Sequence, residues 1–124
     1  WVLPGLAEGR LLTGLETPED IAAFYLARGA KAVVIKLGAE GALWRTAAGG
    51  GRVAGVPVAQ VVDTVGAGDA FAAGLISGRL EGLDWPTAVA RANWVGAQAI
   101  QVVGDMDGLP RRAELPADLG GPRA

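Results

Sequence analysis

The stretch Asp63-Thr64-Val65-Gly66-Ala67-Gly68-Asp69-Ala70 is the most informative part of this chain. A mostly apolar run, residues 58–62, precedes it. An apolar pattern with helical spacing follows it, at Phe71, Leu75, Ile76 and Leu80. A strand, a glycine turn and a helix in this order direct backbone N–H groups and the positive end of a helix dipole toward an anion. The sequence therefore predicts an anion-binding turn that places Asp69 beside the anion.

Asp69 needs a chemical role at such a turn, because a carboxylate repels a bound phosphate. A fitting role is to take the proton from a hydroxyl group that attacks phosphorus. Gly66 and Gly68 carry no Cβ atom, which would let the backbone N–H groups of the turn approach the phosphoryl oxygens closely. From the pattern alone, an ordinary strand–helix turn with Asp69 as a helix cap is an equal alternative. The stretch is neither a G-x-G-x-x-G fingerprint nor a Walker loop, which needs Gly-Lys-Thr.

Composition excludes several classes of protein. The chain has 124 residues, of which 51% are hydrophobic and 19% charged, so we expect one folded domain with a core. Its net charge of −2 offers no basic footprint for nucleic acid. No apolar run reaches the roughly 18 residues of a membrane span, so we expect no membrane partner either. Cysteine is absent, which leaves the cytoplasm as the default location.

Missing residue types narrow the chemistry further. The chain has no histidine and only one serine, Ser77. Serine–histidine triads, histidine bases and most zinc sites are therefore excluded, and acid–base chemistry must come from Asp, Glu, Lys or Tyr. The chain also opens on an apolar run, Trp1–Leu3, without a methionine. We therefore expect it to be a fragment of a longer protein.

Local signals predict an α/β chain with crossovers and no second domain. Thr17-Pro18-Glu19-Asp20 is typical of a helix start, and Gly29 of a helix end. Further predicted elements are a buried strand at 32–35, a turn between Gly38 and Gly41, a strand at 42–44, a hairpin loop at 48–51, and helices at about 67–79 and after Asp84. The last helix has an apolar face formed by Val89, Ala92, Val95 and Ala99.

The residues from Asp63 to Phe71 resemble D-T-x-G-A-G-D-x-F, the C-terminal signature of the ribokinase-like (PfkB) sugar kinases. The resemblance implies a three-layer α/β/α ribokinase-like fold, of which this chain is the C-terminal portion only. Residues 1–116 are then the nucleotide-binding and catalytic part, and residues 117–124 a frayed tail. By the same resemblance Asp69 is the catalytic base. The resemblance further implies an anion hole formed by the amides of Gly66, Ala67, Gly68 and Asp69.

A second segment agrees with that family at the start of the chain. Residues 4–14 resemble its P-N-x-x-E-x-x-x-L-T-G stretch, which implies that Glu8 helps to organise Mg²⁺ and its water shell. Asp63 is implied, more weakly, to lie near a monovalent-cation site. This chain departs from the family at Gly5, where many members have Asn, and so loses one polar contact. Taken alone, Glu8 fits a surface carboxylate better than a magnesium site.

Two more segments agree with the nucleotide site of the family. Residues 36–41 resemble its strand and G-x-x-G turn, which implies that Lys36, Gly38 and Gly41 lie beside the nucleotide phosphates. Ala92-Asn93 resembles an A-N pair, which implies that Asn93 lies near the adenine. Taken alone, residues 36–41 also fit an ordinary hairpin turn with a surface lysine. Asn93, taken alone, also fits a solvated helix residue.

The substrate is indicated by two stretches, residues 4–10 and 103–110, which resemble 2-keto-3-deoxygluconate kinases. The implied function is ATP-dependent phosphoryl transfer to a primary hydroxyl of a sugar or sugar acid. The implied cofactors are ATP, Mg²⁺ and a monovalent cation such as K⁺. A kinase of a nucleoside or other small alcohol, and a nucleotide-binding module without activity, are the alternatives. We expect the fragment alone to be inactive, and the missing N-terminal part to mediate any homo-oligomer.

Overall fold

The computed structural model describes residues 1–56, 67–99 and 115–119. The chain divides into two compact units, residues 1–54 and residues 55–124, and each has its own hydrophobic core. The core of the first unit includes Ile21, Val33, Ile35 and Leu43. The core of the second includes Ala70, Val95, Ala99 and Leu115. The prediction of one domain over residues 1–116 stays a prediction.

The first unit is a small mixed sheet with two helices. Its elements are α1 (Leu6–Thr13), α2 (Pro18–Ala27), β1 (Ala32–Lys36), β2 (Ala42–Thr46) and β3 (Gly49–Val53). The three strands are antiparallel in the order β1-β2-β3, since short turns connect them. Val2 and Gly5 form parallel bridges to the other side of β1. The predicted buried strand is confirmed, because residues 32–35 are all buried.

The predicted start of α2 is confirmed. The Thr17 hydroxyl accepts a hydrogen bond from the backbone N–H of Asp20 at 3.2 Å, and Pro18 occupies the first turn. The helix ends at Ala27, and Gly29 follows with a φ of +100°, a conformation that favours glycine. The sequence therefore determined both ends of this helix through local chemistry.

Helix α1 was not predicted, because a glycine lies in its middle. A Cβ atom at Gly9 would lie 3.0 Å from Cγ2 of Ile21, so the glycine allows α1 to approach α2 closely. Glycine usually weakens a helix interior. Here the close helix contact compensates for that cost, and the contact is visible only in the tertiary structure.

The predicted hairpin loop at 48–51 is wrong in part. The turn lies at residues 47–48, where the Thr46 hydroxyl accepts from the N–H of Ala48 at 3.2 Å, and the three glycines belong to β3. Gly51 is paired with Trp44, and a Cβ at Gly51 would lie 3.2 Å from Nε1 of the indole. Gly51 therefore leaves space for the tryptophan side chain on the neighbouring strand, a reason that composition cannot reveal.

The second unit is built on a helix pair, α3 (Ala67–Leu80) and α4 (Trp85–Ala99), with a short 3₁₀ helix at Ala117–Leu119. Both predicted helices are confirmed. The Asp84 carboxylate accepts from the N–H of Thr87 at 2.9 Å and caps α4. The predicted apolar face of α4 is buried. The helices pack closely, because a Cβ at Gly74 would lie 2.9 Å from Cα of Ala92.

An arginine that the sequence did not single out is buried in this unit. Arg91 is 1% exposed, and its two terminal nitrogens contact the two carboxylate oxygens of Glu81 at 2.8 and 3.0 Å. Its Nη1 also donates to Ser77, and its Nε donates to the carbonyl of Leu119. Residues 117–119 form the 3₁₀ helix that supplies this carbonyl, and the frayed tail over residues 117–124 stays a prediction.

Candidate functional site

Several of the predicted site residues line one open pocket in the first unit. The pocket has a volume of about 650 Å³. Its lining consists of Gly5, Leu6, Ala7, Glu8, Arg10, Lys36, Leu37 and Gly38. It lies where residues 1–5 and β1, which run parallel, reach their carboxyl ends. This edge of a parallel strand pair is where α/β folds commonly bind ligands.

Lys36 and Gly38 reach the pocket through the end of β1. The backbone N–H of Lys36 donates to the carbonyl of Pro4 at 3.0 Å, which fixes the strand end against the segment that leads into α1. A tight turn follows, in which the N–H of Leu37 donates to the carbonyl of Gly41 at 2.8 Å. Gly38 and Gly41 have φ of +64° and +101°. The glycines are therefore required by the turn itself.

Glu8 is an exposed residue in the first turn of α1 and lines the same pocket as Lys36. In the part of the chain that the structure describes, no three acidic, histidine or cysteine side chains form a group that could hold a metal ion. Glu8 thus offers one carboxylate and not a full set of ligands. Magnesium bound to a nucleotide commonly needs only one or two carboxylates besides phosphate oxygens and waters.

Helix α1 begins at this pocket without a side-chain cap. Gly5 occupies the cap position and contributes no side-chain hydrogen bond, and a Cβ there would meet no atom within 4 Å. Its φ of −73° suits any residue. The departure from the family's Asn therefore leaves open space in the pocket wall, and the backbone does not require glycine.

The predicted catalytic residues lie in the second unit. Ala67 begins α3, and Gly68 and Asp69 are exposed in its first turn. The start of a helix at the Asp69 turn is confirmed. Gly66 and Asp63 lie outside the described residues. The roles of Asp69 as a base, of the amides as an anion hole and of Asp63 at a cation site stay predictions.

Asn93 is half-buried within α4. Its predicted place near an adenine stays a prediction.

The residue that sequence reasoning missed in the pocket is Arg10, two positions after Glu8. Its signal in the sequence was weak, because an isolated arginine is typical of a solvated surface.

No helix within residues 1–56, 67–99 and 115–119 is both long enough and apolar enough to cross a bilayer. The cytoplasmic location stays a prediction, as does any homo-oligomer.

Residues 1–112 match the model of the pfkB family carbohydrate kinases. The chain is 54% identical over 123 residues to the 2-dehydro-3-deoxygluconokinase of Bacillus subtilis. That match covers 99% of this chain and 38% of the relative. The chain thus spans well under half the length of this curated relative.

Solved structures resemble the chain as well. A structure described as ribokinase II from E. coli, in complex with ATP and Mg²⁺, is 38% identical to this chain, with a TM-score of 0.81. The match covers 88% of this chain and 35% of the E. coli chain. Aminoimidazole riboside kinase from Salmonella enterica has a TM-score of 0.80 and 34% identity, with coverage of 94% and 41%. These likenesses confirm the ribokinase-like α/β fold that the sequence predicted. Together with the family match, they show that the chain belongs to the PfkB family of carbohydrate kinases.

Proposed function

We propose that this chain supplies the nucleotide site and the catalytic base of a kinase that phosphorylates a sugar acid of the 2-dehydro-3-deoxygluconate type. The 54% identity to the Bacillus subtilis enzyme is the observation that supports this substrate class over others. The likeness to a riboside kinase is weaker, at 34% identity, so a nucleoside is the second candidate substrate.

The pocket suits a metal–polyphosphate ligand. It combines the cationic Lys36, a carboxylate at Glu8 and the open glycine turn at Gly38. Glu8 would help to hold Mg²⁺ and its waters, and the metal would neutralise charge on the nucleotide phosphates. The solved relative with ATP and Mg²⁺ supports both as cofactors. A need for K⁺ near Asp63 belongs to the same proposal.

Asp69 is the proposed general base. It would take the proton from a primary hydroxyl, whose oxygen then attacks the γ-phosphorus while the bond to the β-phosphate oxygen breaks and ADP leaves. The amides of Gly66, Ala67, Gly68 and Asp69, together with the positive end of the α3 dipole, would hold the charge on the transferred group. This proposal uses the exposed position of Asp69 in the first helical turn.

The test is a chimera in which this chain replaces the matching segment of the Bacillus subtilis relative. We expect ADP release with 2-dehydro-3-deoxygluconate and little with nucleosides. Asp69→Asn is expected to lower kcat by roughly three or more decades with ATP binding nearly unchanged, since proton transfer and orientation are both lost. Asp20→Asn is the matched control, because Asp20 is also an exposed aspartate in the first turn of a helix.

Two results would contradict the proposal. Unchanged turnover in the Asp69→Asn chimera would remove the base assignment. A folded chimera that binds ATP and phosphorylates no sugar acid would favour the nucleoside kinase or the binding module instead.

A further inference from the structure

The pocket in the first unit is lined by two basic residues, Arg10 and Lys36, and one acidic residue, Glu8. Arg10 lies within the resembling stretch, residues 4–14, at a position where the motif P-N-x-x-E-x-x-x-L-T-G accepts any residue. Among the described residues, the side chains of Lys36 and Glu8 have no ion-pair partner. The residues that line the pocket therefore carry one more positive than negative charge, and the Glu16 carboxylate that pairs with Arg10 is outside this lining. A lining of this charge favours an anionic ligand.

Arg10 is oriented by Glu16 through one of its three guanidinium nitrogens. Its Nε donates to the backbone carbonyl of Glu16 at 2.8 Å, and the same atom lies 3.7 Å from the Glu16 carboxylate. Within the described part of the chain, this contact uses only Nε and leaves Nη1 and Nη2 for another acceptor. The ion pair is exposed, at 48% and 85% of the two side chains, so it contributes little to stability.

The backbone that supports both cations is well fixed. Gly9, next to Arg10, packs against Ile21 so closely that even a Cβ would crowd it. Lys36 is fixed by its backbone bond to Pro4, one residue before the start of the pocket wall at Gly5. Gly5 leaves open space in that wall. A bulky anion can therefore approach the pocket where the two cations lie.

We propose that Arg10 is a polyphosphate-binding residue of this pocket and acts together with Lys36. Its planar guanidinium can bind two phosphate oxygens at once, which a lysine ammonium cannot do. The ligand class is a di- or triphosphate, as in ADP, ATP or inorganic tripolyphosphate. The inference deepens the proposed function, since it rests on the same pocket as the nucleotide site.

The experiment measures binding of inorganic tripolyphosphate and of ADP to the 124-residue chain by calorimetry at low salt. We expect Arg10→Gln to weaken Kd for both about tenfold, the loss of one charged hydrogen-bonded contact. Arg10→Lys should recover part of this loss. Lys31→Gln is the matched control, because Lys31 is an exposed cation of the same unit outside the pocket. Each variant is first compared with the parent chain by circular dichroism, and the loss should shrink as added salt shortens the screening length.

Equal Kd values for Arg10→Gln and the parent chain would overturn the inference. An equal loss in Lys31→Gln would also overturn it, because the effect would then come from net charge alone. The proposed function fails separately. If the chimera is inactive and Arg10→Gln still weakens binding, the polyphosphate site stands and the sugar-kinase function is contradicted. If the chimera is active and Arg10→Gln has no effect, only the role of Arg10 is contradicted.

Discussion

Two arginines, one in each unit, differ in how their charge is satisfied. Arg91 is 1% exposed and bonded through Nε, Nη1 and Nη2, to Glu81, Ser77 and the carbonyl of Leu119. Arg10 is about half exposed, lines an open pocket and uses only Nε, toward the carbonyl of Glu16. Arg91 is buried and bonded at all three nitrogens, so a ligand cannot reach it. Nη1 and Nη2 of Arg10 have no bond among the described residues and can bind a ligand.

This difference separates structural from functional charge. A buried charge must be paired where it lies, because removing one partner leaves the other uncompensated. An exposed charge in a pocket contributes little to stability and can be retained for a ligand. We therefore expect substitutions of Arg91 to act on folding and substitutions of Arg10 to act on binding.

The largest effect on stability is expected at Arg91. Arg91→Met should lower the free energy of unfolding by roughly 3 kcal/mol, since the hydrogen bonds of the buried guanidinium to Glu81, Ser77 and the carbonyl of Leu119 are lost together. Urea denaturation followed by circular dichroism measures this change. Arg10→Gln, measured in the same way, should stay within about 0.5 kcal/mol of the parent chain. Equal losses in the two variants would break the comparison.

A smaller effect is expected where the second unit packs without charge. Gly74→Val should lower the free energy of unfolding by about 2 kcal/mol, because its Cβ would meet the backbone of α4 and the helices must separate. Ala73→Val, the exposed neighbour on α3, controls for the helix propensity of valine. A similar loss at both positions would show that the close helix contact contributes nothing.

The smallest effect is expected at a charge that is bonded yet exposed, the Asp84 cap. Hydrogen bonds from the side chain and then the backbone N–H of Thr87 lower the pKa of Asp84 below its ordinary value. A carboxyl group with a lowered folded-state pKa stabilises the fold above its unfolded pKa and loses that contribution as the pH falls through the folded pKa. The parent chain should therefore lose more stability than Asp84→Asn between about pH 5 and about pH 2. Thermal unfolding across this range tests the expectation, and parallel curves would contradict it.

Much of the fold was predictable from short-range signals. The cap at Thr17, the cap at Asp84 and the turn glycines act on atoms within a few residues, so the sequence shows them directly. The predictions failed where a glycine serves a distant partner. Gly9 accommodates Ile21, and Gly51 accommodates Trp44 from the next strand. In both places a local pattern that weakens a helix or suggests a loop is compensated by packing.

The candidate site likewise contains residues that the sequence predicted and one residue that it did not. The motifs predicted Glu8, Lys36 and Gly38 as separate segments, and the pairing of the first residues with β1 brings them to one pocket. Arg10 could not be predicted, because its role depends on the pocket it reaches and on the carbonyl of Glu16.

The sequence by itself determined the family, the helix ends and the turns, since these depend on residue types at fixed short spacings. Only the tertiary structure decided which charges are buried and which remain available. Arg91 meets Glu81 from ten residues away and Leu119 from twenty-eight residues away. Contacts at such separations are set by the packing of whole helices, and no local pattern in the chain encodes them.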